Sequence, residues 1–197
     1  NYEHAKEIVT KCKKLNCALY VNYMRLSDVG VAEIHKRITN MRIHGPFKGV
    51  VWYSKGLFNS ASHFVNLLEL LLGEVISIQL INKGRLFEDV DPEPDFNIKF
   101  EQGCIQFNAL KAENFFHNSM ELNAENGRLR YERGGENIYW DGIDTNNIFS
   151  GYTTLSLETE TLKSDFLRMQ WHVADQLARS INKQSSNICT GENALRT

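Results

Sequence analysis

With 197 residues, 42% of them hydrophobic and 11% aromatic, the chain holds enough apolar surface for one substantial core. Its 22 basic and 24 acidic side chains leave a net charge of -2, which excludes an overall pull toward nucleic acid or an anionic membrane surface. The four cysteines, Cys12, Cys17, Cys104 and Cys189, make no CxxC or CxxH pair, so neither a metal site nor a redox pair is indicated. No apolar run approaches the roughly 20 residues that cross a bilayer, and residues 1–20 lack a signal-peptide core, so a cytoplasmic protein with no membrane partner is expected.

In chain order, Ala5, Ile8, Val9, Cys12 and Leu15 fall on one side of an amphipathic helix from Tyr2 to Asn16. Lys11, Lys13 and Lys14 read as its solvated face. A strand is expected at Ala18 to Tyr23, then a helix at Val29 to Thr39 with Ser27 or Asp28 as its cap, ended by Gly45-Pro46. The Val- and aromatic-rich run Phe47 to Tyr53 reads as a strand. Ser62 to Leu72 is apolar almost all round and reads as a buried helix stopped by Gly73.

A strand at Val75 to Ile81 precedes a loop bearing Asp89, Asp91, Glu93 and Asp95, which lacks the spacing of a calcium loop and reads as solvated. The apolar period then becomes two. Phe96, Ile98 and Phe100 lead through a Gln102-Gly103 turn to Ile105 and Phe107, and Met120 and Leu122 lead through Asn126-Gly127 to Leu129 and Tyr131. Short strands around Ile138 to Trp140 and Thr153 to Leu157 extend the sheet. Leu162, Phe166, Met169, Val173, Leu177 and Ile181 predict a long helix over one sheet face. The fold class is therefore α+β, a large, mostly antiparallel open sheet with helices on one face.

Chemistry is concentrated in the passage from Trp52 to His63, which runs from a strand into the most apolar helix. Lys55, Asn59, Ser62 and His63 can converge there, near backbone N–H groups that a helix start leaves free for a ligand. A neutral imidazole at His63 can exchange a proton with a hydroxyl near neutral pH. The same spacing fits Asn59 or Ser60 as a plain cap, with His63 bonded inside the core. Arg25, at a strand end, is a further binding candidate, with an ion pair to Asp28 as the alternative. His4, His35, His44, His117 and His172 have no acid or metal-ligand partner at a telling spacing, and Trp140 and Trp171 read as packing residues. No GxGxxG or GxxxxGK[ST] motif follows a strand.

Taken in order, Tyr2 to Leu15, Leu19-Tyr20-Val21-Asn22-Tyr23-Met24-Arg25, Lys55-Gly56 through His63, and Leu70-Leu71-Leu72-Gly73-Glu74-Val75 resemble the C-terminal portion of the glucose-fructose oxidoreductase, inositol dehydrogenase and MocA family (Gfo/Idh/MocA). Phe100-Glu101-Gln102-Gly103, Glu121 through Leu129 and Cys189 through Leu195 resemble its hairpins and the start of its last helix. The resemblance implies hydride transfer between NAD or NADP and a sugar, cyclitol or nucleotide-sugar hydroxyl carbon, with the dinucleotide held by an upstream Rossmann domain. Residues 1–22 would then be the end of that domain and 23–197 a substrate-binding and oligomerisation domain, a fragment inactive alone.

The catalytic lysine would precede Asn1. His63 and Asn59 would stand at the family's Asp-x-x-x-His positions, where Asn can orient a hydroxyl but cannot ionise. Lys55, Ser62 and Arg25 would bind substrate. The open sheet face would join subunits into a homodimer or homotetramer, giving the alternating apolar residues of the hairpins a second burial surface. Asn59 also admits a non-catalytic family member that serves as a binding or assembly module. An unrelated α+β carbohydrate-binding domain is a third reading.

Overall fold

The structure, a computed structural model, describes residues 2–145 and 151–197. Helix α1 (Tyr2–Lys14) leads to α2 (Val29–Thr39), strand β1 (Phe47–Ser54), helix α3 (Ser62–Leu72) and strand β2 (Val75–Asn82). Two-residue strands β3 (Leu86–Phe87) and β4 (Asp91–Pro92) pair with each other in the acidic loop. Strands β5 (Asp95–Phe100), β6 (Gly103–Leu110), β7 (Ser119–Ala124), β8 (Gly127–Glu132), β9 (Asn137–Thr145) and β10 (Thr153–Leu162) follow, and helices α4 (Met169–Ile181) and α5 (Gly191–Arg196) close the chain.

One eight-stranded sheet carries the order β10-β9-β8-β7-β1-β6-β5-β2. Only β1 and β6 run parallel, with Val51 opposite Phe107, so the sheet is mostly antiparallel as expected. The apolar period explains the layering. Phe96, Ile98, Ile105, Phe107, Leu122, Leu129 and Tyr131 point to one face, where Val31 and Ile34 of α2 and Phe64, Leu67, Leu68 and Leu71 of α3 complete a single core. Fully burying a Leu or Phe side chain contributes about 1.5–3 kcal/mol, so this layer carries most of the apolar stabilisation. The fold class is α+β, with helices on one face of an open sheet.

The alternating apolar residues are thus spent on the helix side, and the other face holds their polar neighbours. Asp141, 2% exposed, accepts from Arg128, Arg130 and the Thr159 hydroxyl across β8, β9 and β10. Contrary to expectation, the hairpins have no second set of alternating apolar residues to bury there.

Four elements differ from the sequence reading. Ala18 to Tyr23 is not a strand: it makes one isolated bridge, Tyr20 to Thr190, with Val21 N–H donating to Cys189 O, because no sheet edge lies beside it. The residues between the hairpin strands are Glu101-Gln102 and Glu125-Asn126, one position early. Gly103 and Gly127 instead open β6 and β8, where a Cβ would fall 2.5 Å from Phe47 O and 2.4 Å from Asp141 O. Close approach of strands, not turn geometry, requires glycine there. Asn126 serves as a tie, its amide bonding His44 N and Arg42 O.

The helix expected from Leu162 to Ile181 starts only at Met169. Leu162 ends β10, and Phe166–Arg168 form a 3-10 turn. The cause is Asp28, which receives Ser164 Oγ at 3.0 Å and Asp165 N at 3.2 Å and holds that corner out of helical register. Met169 is the one buried residue of α4, which rests on the Met24–Ser27 turn and does not cover the sheet. The acidic loop is likewise built, not solvated: Glu93, 3% exposed, pairs with Arg85 at 2.8 Å, and Asp95 accepts from Ala109 N.

Candidate functional site

Strand β1 delivers the chain to the site. At its end Ser54 N–H donates to Asn118 Oδ1 (3.1 Å), and Ser54 Oγ lies 3.1 Å from His117 O and 3.2 Å from His117 N, which fixes the loop before β7 against it. Lys55 (φ 69°) and Gly56 (φ 86°) then turn the backbone through the left-handed region into a π-helical turn, Leu57–Ala61, that runs into α3. Two successive residues of positive φ, one of them a lysine, are a costly way to leave a strand.

The N–H groups of that turn are already taken. Asp91 Oδ1 and Oδ2 accept from Phe58 N (2.9 Å) and Asn59 N (3.0 Å), and a Cβ on Gly56 would overlap the same carboxylate. Asp91, 32 residues beyond Asn59 in sequence, is therefore the cap, and neither Asn59 nor Ser60 plays that part. The helix start is closed to a phosphate, which the carboxylate would repel.

Four of the five candidate residues find a definite place. Ser62 Oγ donates to Phe58 O at 2.6 Å, pinning the turn. Lys55 is exposed, with Nζ 5.5 Å from the centre of the Phe116 ring. Arg25 is buried to 6% exposure, its guanidinium 4.7 Å from the centre of the Phe64 ring. No ion pair with Asp28 forms, because Asp28 bonds Gly30 N, Ser164 and Asp165. Arg25 Nε has no hydrogen-bond partner, and burial lowers the pKa of the group. His63 lies edge-on to Tyr23, ring centres 5.0 Å apart, and its Nδ1 is buried without a partner. Burial, and after it the charge of Arg25, pushes the imidazole down to about 4, so it is neutral at physiological pH.

Asn59 is the exception: it is exposed, and its recorded bond is through the backbone N–H to Asp91, with no contact joining its side chain to His63. The π-helical turn accounts for this, since a widened turn rotates position 59 off the line that ordinary i, i+4 spacing would share with position 63.

Arg25, His63 and the Tyr131 hydroxyl form one patch. Tyr131 lies beside Arg25, its hydroxyl buried; that burial raises its pKa, and the neighbouring guanidinium opposes the rise. A Cβ on Gly134 would sit 3.9 Å from Arg25 Nη2 and 3.6 Å from the Phe166 ring, and Gly134 N–H donates to Asn118 O at 2.7 Å. The patch is thus tied through Asn118 to the end of β1.

Sequence reading missed two features here. His172 does have an acid partner: its Nε2 is 2.7 Å from Oδ2 of Asp165, seven residues earlier, just ahead of the 3-10 turn that leads into α4. That spacing was visible in the sequence, since the stretch read there as the helix Leu162 to Ile181 holds both residues seven positions apart. Trp171 is 55% exposed, with Arg168 4.6 Å from its ring centre, and is not a packing residue. Among the described residues no group of three or more His, Cys, Asp or Glu side chains could hold a metal ion, and no helix is long and apolar enough to cross a membrane.

Neither family models nor curated protein sequences match the chain. Solved structures do. An aldose-aldose oxidoreductase from Caulobacter crescentus superposes with a TM-score of 0.72 at 14% identity, over 99% of this chain and 63% of that one. The WlbA dehydrogenase from Bordetella pertussis, solved with NADH and UDP-GlcNAcA, gives 0.66 at 14% identity, over 100% of this chain and 62% of that one. An oxidoreductase from Agrobacterium radiobacter, solved with NAD+, L-tartaric acid and magnesium, gives 0.66 at 14%, over 100% and 64%. The chain has the fold of these oxidoreductases. It is the Gfo/Idh/MocA-type fold that the sequence resemblance implied, and the chain spans less than two thirds of the length of the oxidoreductases it matches.

Proposed function

We propose that the chain is the substrate-binding and subunit-contacting part of an NAD- or NADP-dependent dehydrogenase of the Gfo/Idh/MocA family, acting on a sugar, cyclitol or nucleotide-sugar hydroxyl. The observation that carries this reading is the pair of Arg25 Nε and His63 Nδ1, two buried polar atoms without hydrogen bonds beside the buried Tyr131 hydroxyl, on a fold shared with sugar oxidoreductases. Buried polar groups are nearly always paired, and clusters that are not belong preferentially to binding sites. His63 exchanges a proton with the reacting hydroxyl in its neutral form, and Arg25 orients the sugar. In this reading the nicotinamide dinucleotide is held by a further domain of the full-length protein. Two or four copies join through the open sheet face.

A second reading, a non-catalytic binding or assembly module, is favoured by Asn59, which cannot ionise and does not reach His63. Assay of the full-length protein separates the two. With NAD+ and NADP+ offered against sugars, cyclitols and nucleotide sugars, the dehydrogenase reading expects reduced nicotinamide with at least one pair. Absence of turnover with every pair, in protein shown to be folded, contradicts it and leaves the module.

A further inference from the structure

The end of α1 brings together two cysteines whose spacing in the sequence marks no pair. Asn16 N–H donates to Lys13 O at 3.2 Å and Cys17 N–H to Cys12 O at 2.9 Å, while Asn16 takes a φ of 51°. Those two bonds around one left-handed residue make the Schellman form of helix end. In that form the residue leaving the helix commonly folds its side chain back over the residue five positions earlier, in an apolar contact. Here both positions of that contact are cysteine.

The 2.9 Å bond also limits how far apart the two residues stand. With standard backbone dimensions their Cα atoms lie within about 6.8 Å, the outer reach of a disulfide. Both side chains line one cavity of about 190 Å³, shared with Tyr20 of the segment leaving the helix and Ser180 of α4. Cys12 is half-buried and Cys17 exposed, both as free thiols. The other two cysteines have no such neighbour: Cys189 is buried, and Cys104 sits on β6 between Lys48 and Lys99. Lys11, Lys13 and Lys14 crowd the last turn of α1 and attract an anionic thiol reagent. A metal ion is the poorer occupant, since among the described residues no third His, Cys, Asp or Glu joins the pair in a group that could hold one.

We propose that Cys12 and Cys17 are a redox modification site, a dithiol that closes to a disulfide on meeting an oxidised small thiol such as glutathione disulfide. The exposed Cys17, as thiolate, attacks one sulfur of the reagent, breaking its S–S bond and releasing one glutathione thiolate. Cys12 then attacks the Cys17 sulfur of the mixed disulfide and expels the second glutathione. Two protein thiols are oxidised to one disulfide, one glutathione disulfide is reduced to two glutathiones, and the two cysteine protons go to the leaving thiolates. The new bond ties the last turn of α1 to the segment that carries Tyr20 and leads on to Arg25. It requires no turnover and stands apart from the dehydrogenase reading.

Peptide mapping of the full-length protein tests it, because Lys13 and Lys14 lie between the two cysteines and trypsin separates them unless a disulfide holds the pieces together. After treatment with glutathione disulfide and alkylation of the remaining thiols, the Cys12 and Cys17 peptides are expected as one linked species that dithiothreitol splits. Cys12→Ser abolishes the linked species and leaves Cys17 as a mixed disulfide with glutathione, whereas Cys104→Ser leaves the linked species as it was. At one fixed glutathione ratio the linked yield falls when the protein is unfolded in urea. Both cysteines alkylated in treated, folded protein overturns the proposal, as does a Cys17 that stops at the mixed disulfide with Cys12 in place. An equal linked yield in urea also overturns it, since the pairing would then owe nothing to the helix end.

Discussion

Arg25 keeps its charge at 6% exposure with no carboxylate against it, a state that costs several kcal/mol and that packing alone gives no reason to retain. Arg25→Met, which leaves an apolar chain over Phe64, is therefore expected to leave the urea midpoint of the protein unchanged or raised, while increasing KM for the substrate at least tenfold. A large loss of stability with unchanged KM would make the residue structural. His63 gives a pH signature. Its folded-state pKa of about 4 lies below the ordinary 6.5, so the unfolded chain takes up a proton that the folded chain refuses. Stability contributed by the neutral ring is complete above pH 6.5 and declines as the pH falls toward 4. Urea unfolding at intervals across that window should show a shallower decline in His63→Gln than in the parent. Equal slopes would mean that the ring is not held neutral. These two residues were legible as candidates because each stands where an element ends, at the Tyr23-Met24-Arg25 corner and at the start of α3. Their missing partners were not legible, since only the fold shows that Asp28 turns to Ser164 and Asp165.

At the scale of elements, the start of α3 depends on a residue that no local pattern reveals. Asp91 closes the π-helical turn from β4, and Asp91→Ala should cost about 1–2 kcal/mol by exposing two unpaired N–H groups, with Asp91→Asn recovering part of it. Chemical denaturation reads this directly, and an unchanged midpoint would show that the cap contributes nothing. Strands with an alternating apolar face, Phe96 to Phe107 and Met120 to Tyr131, and the all-apolar α3 were readable from sequence because burial itself writes their period. The elements misread were those set by distant polar ties. Ala18 to Tyr23 is extended without a sheet neighbour, and the apolar positions of Leu162 to Ile181 continue a helical period through a strand end and a 3-10 turn that Asp28 imposes. Glycines 103 and 127 were seen as turn residues, although the adjacent strand and not the turn excludes a side chain there.

Across the whole molecule, one sheet face is apolar under α2 and α3 and the other is charged around Asp141. Removal of that acid in Asp141→Ala leaves Arg128 and Arg130 side by side on one face of β8 without the carboxylate they share, and should destabilise the protein by about 2–3 kcal/mol, measured by urea unfolding. A smaller effect would mean that solvent already screens the pair. The same architecture sets β1, the β6–β7 loop, the Gly134 turn and the Met24–Ser27 turn around one end of the sheet, which is why His63 and Arg25 meet there although 38 residues of chain separate them. The central claim, that this end of the sheet is one wall of a dehydrogenase active site with His63 in its chemistry, is tested most directly by the turnover of full-length His63→Ala with nicotinamide cofactor and its best substrate. Turnover is predicted to fall by roughly 10² or more in a folded variant. Near-normal turnover would contradict it.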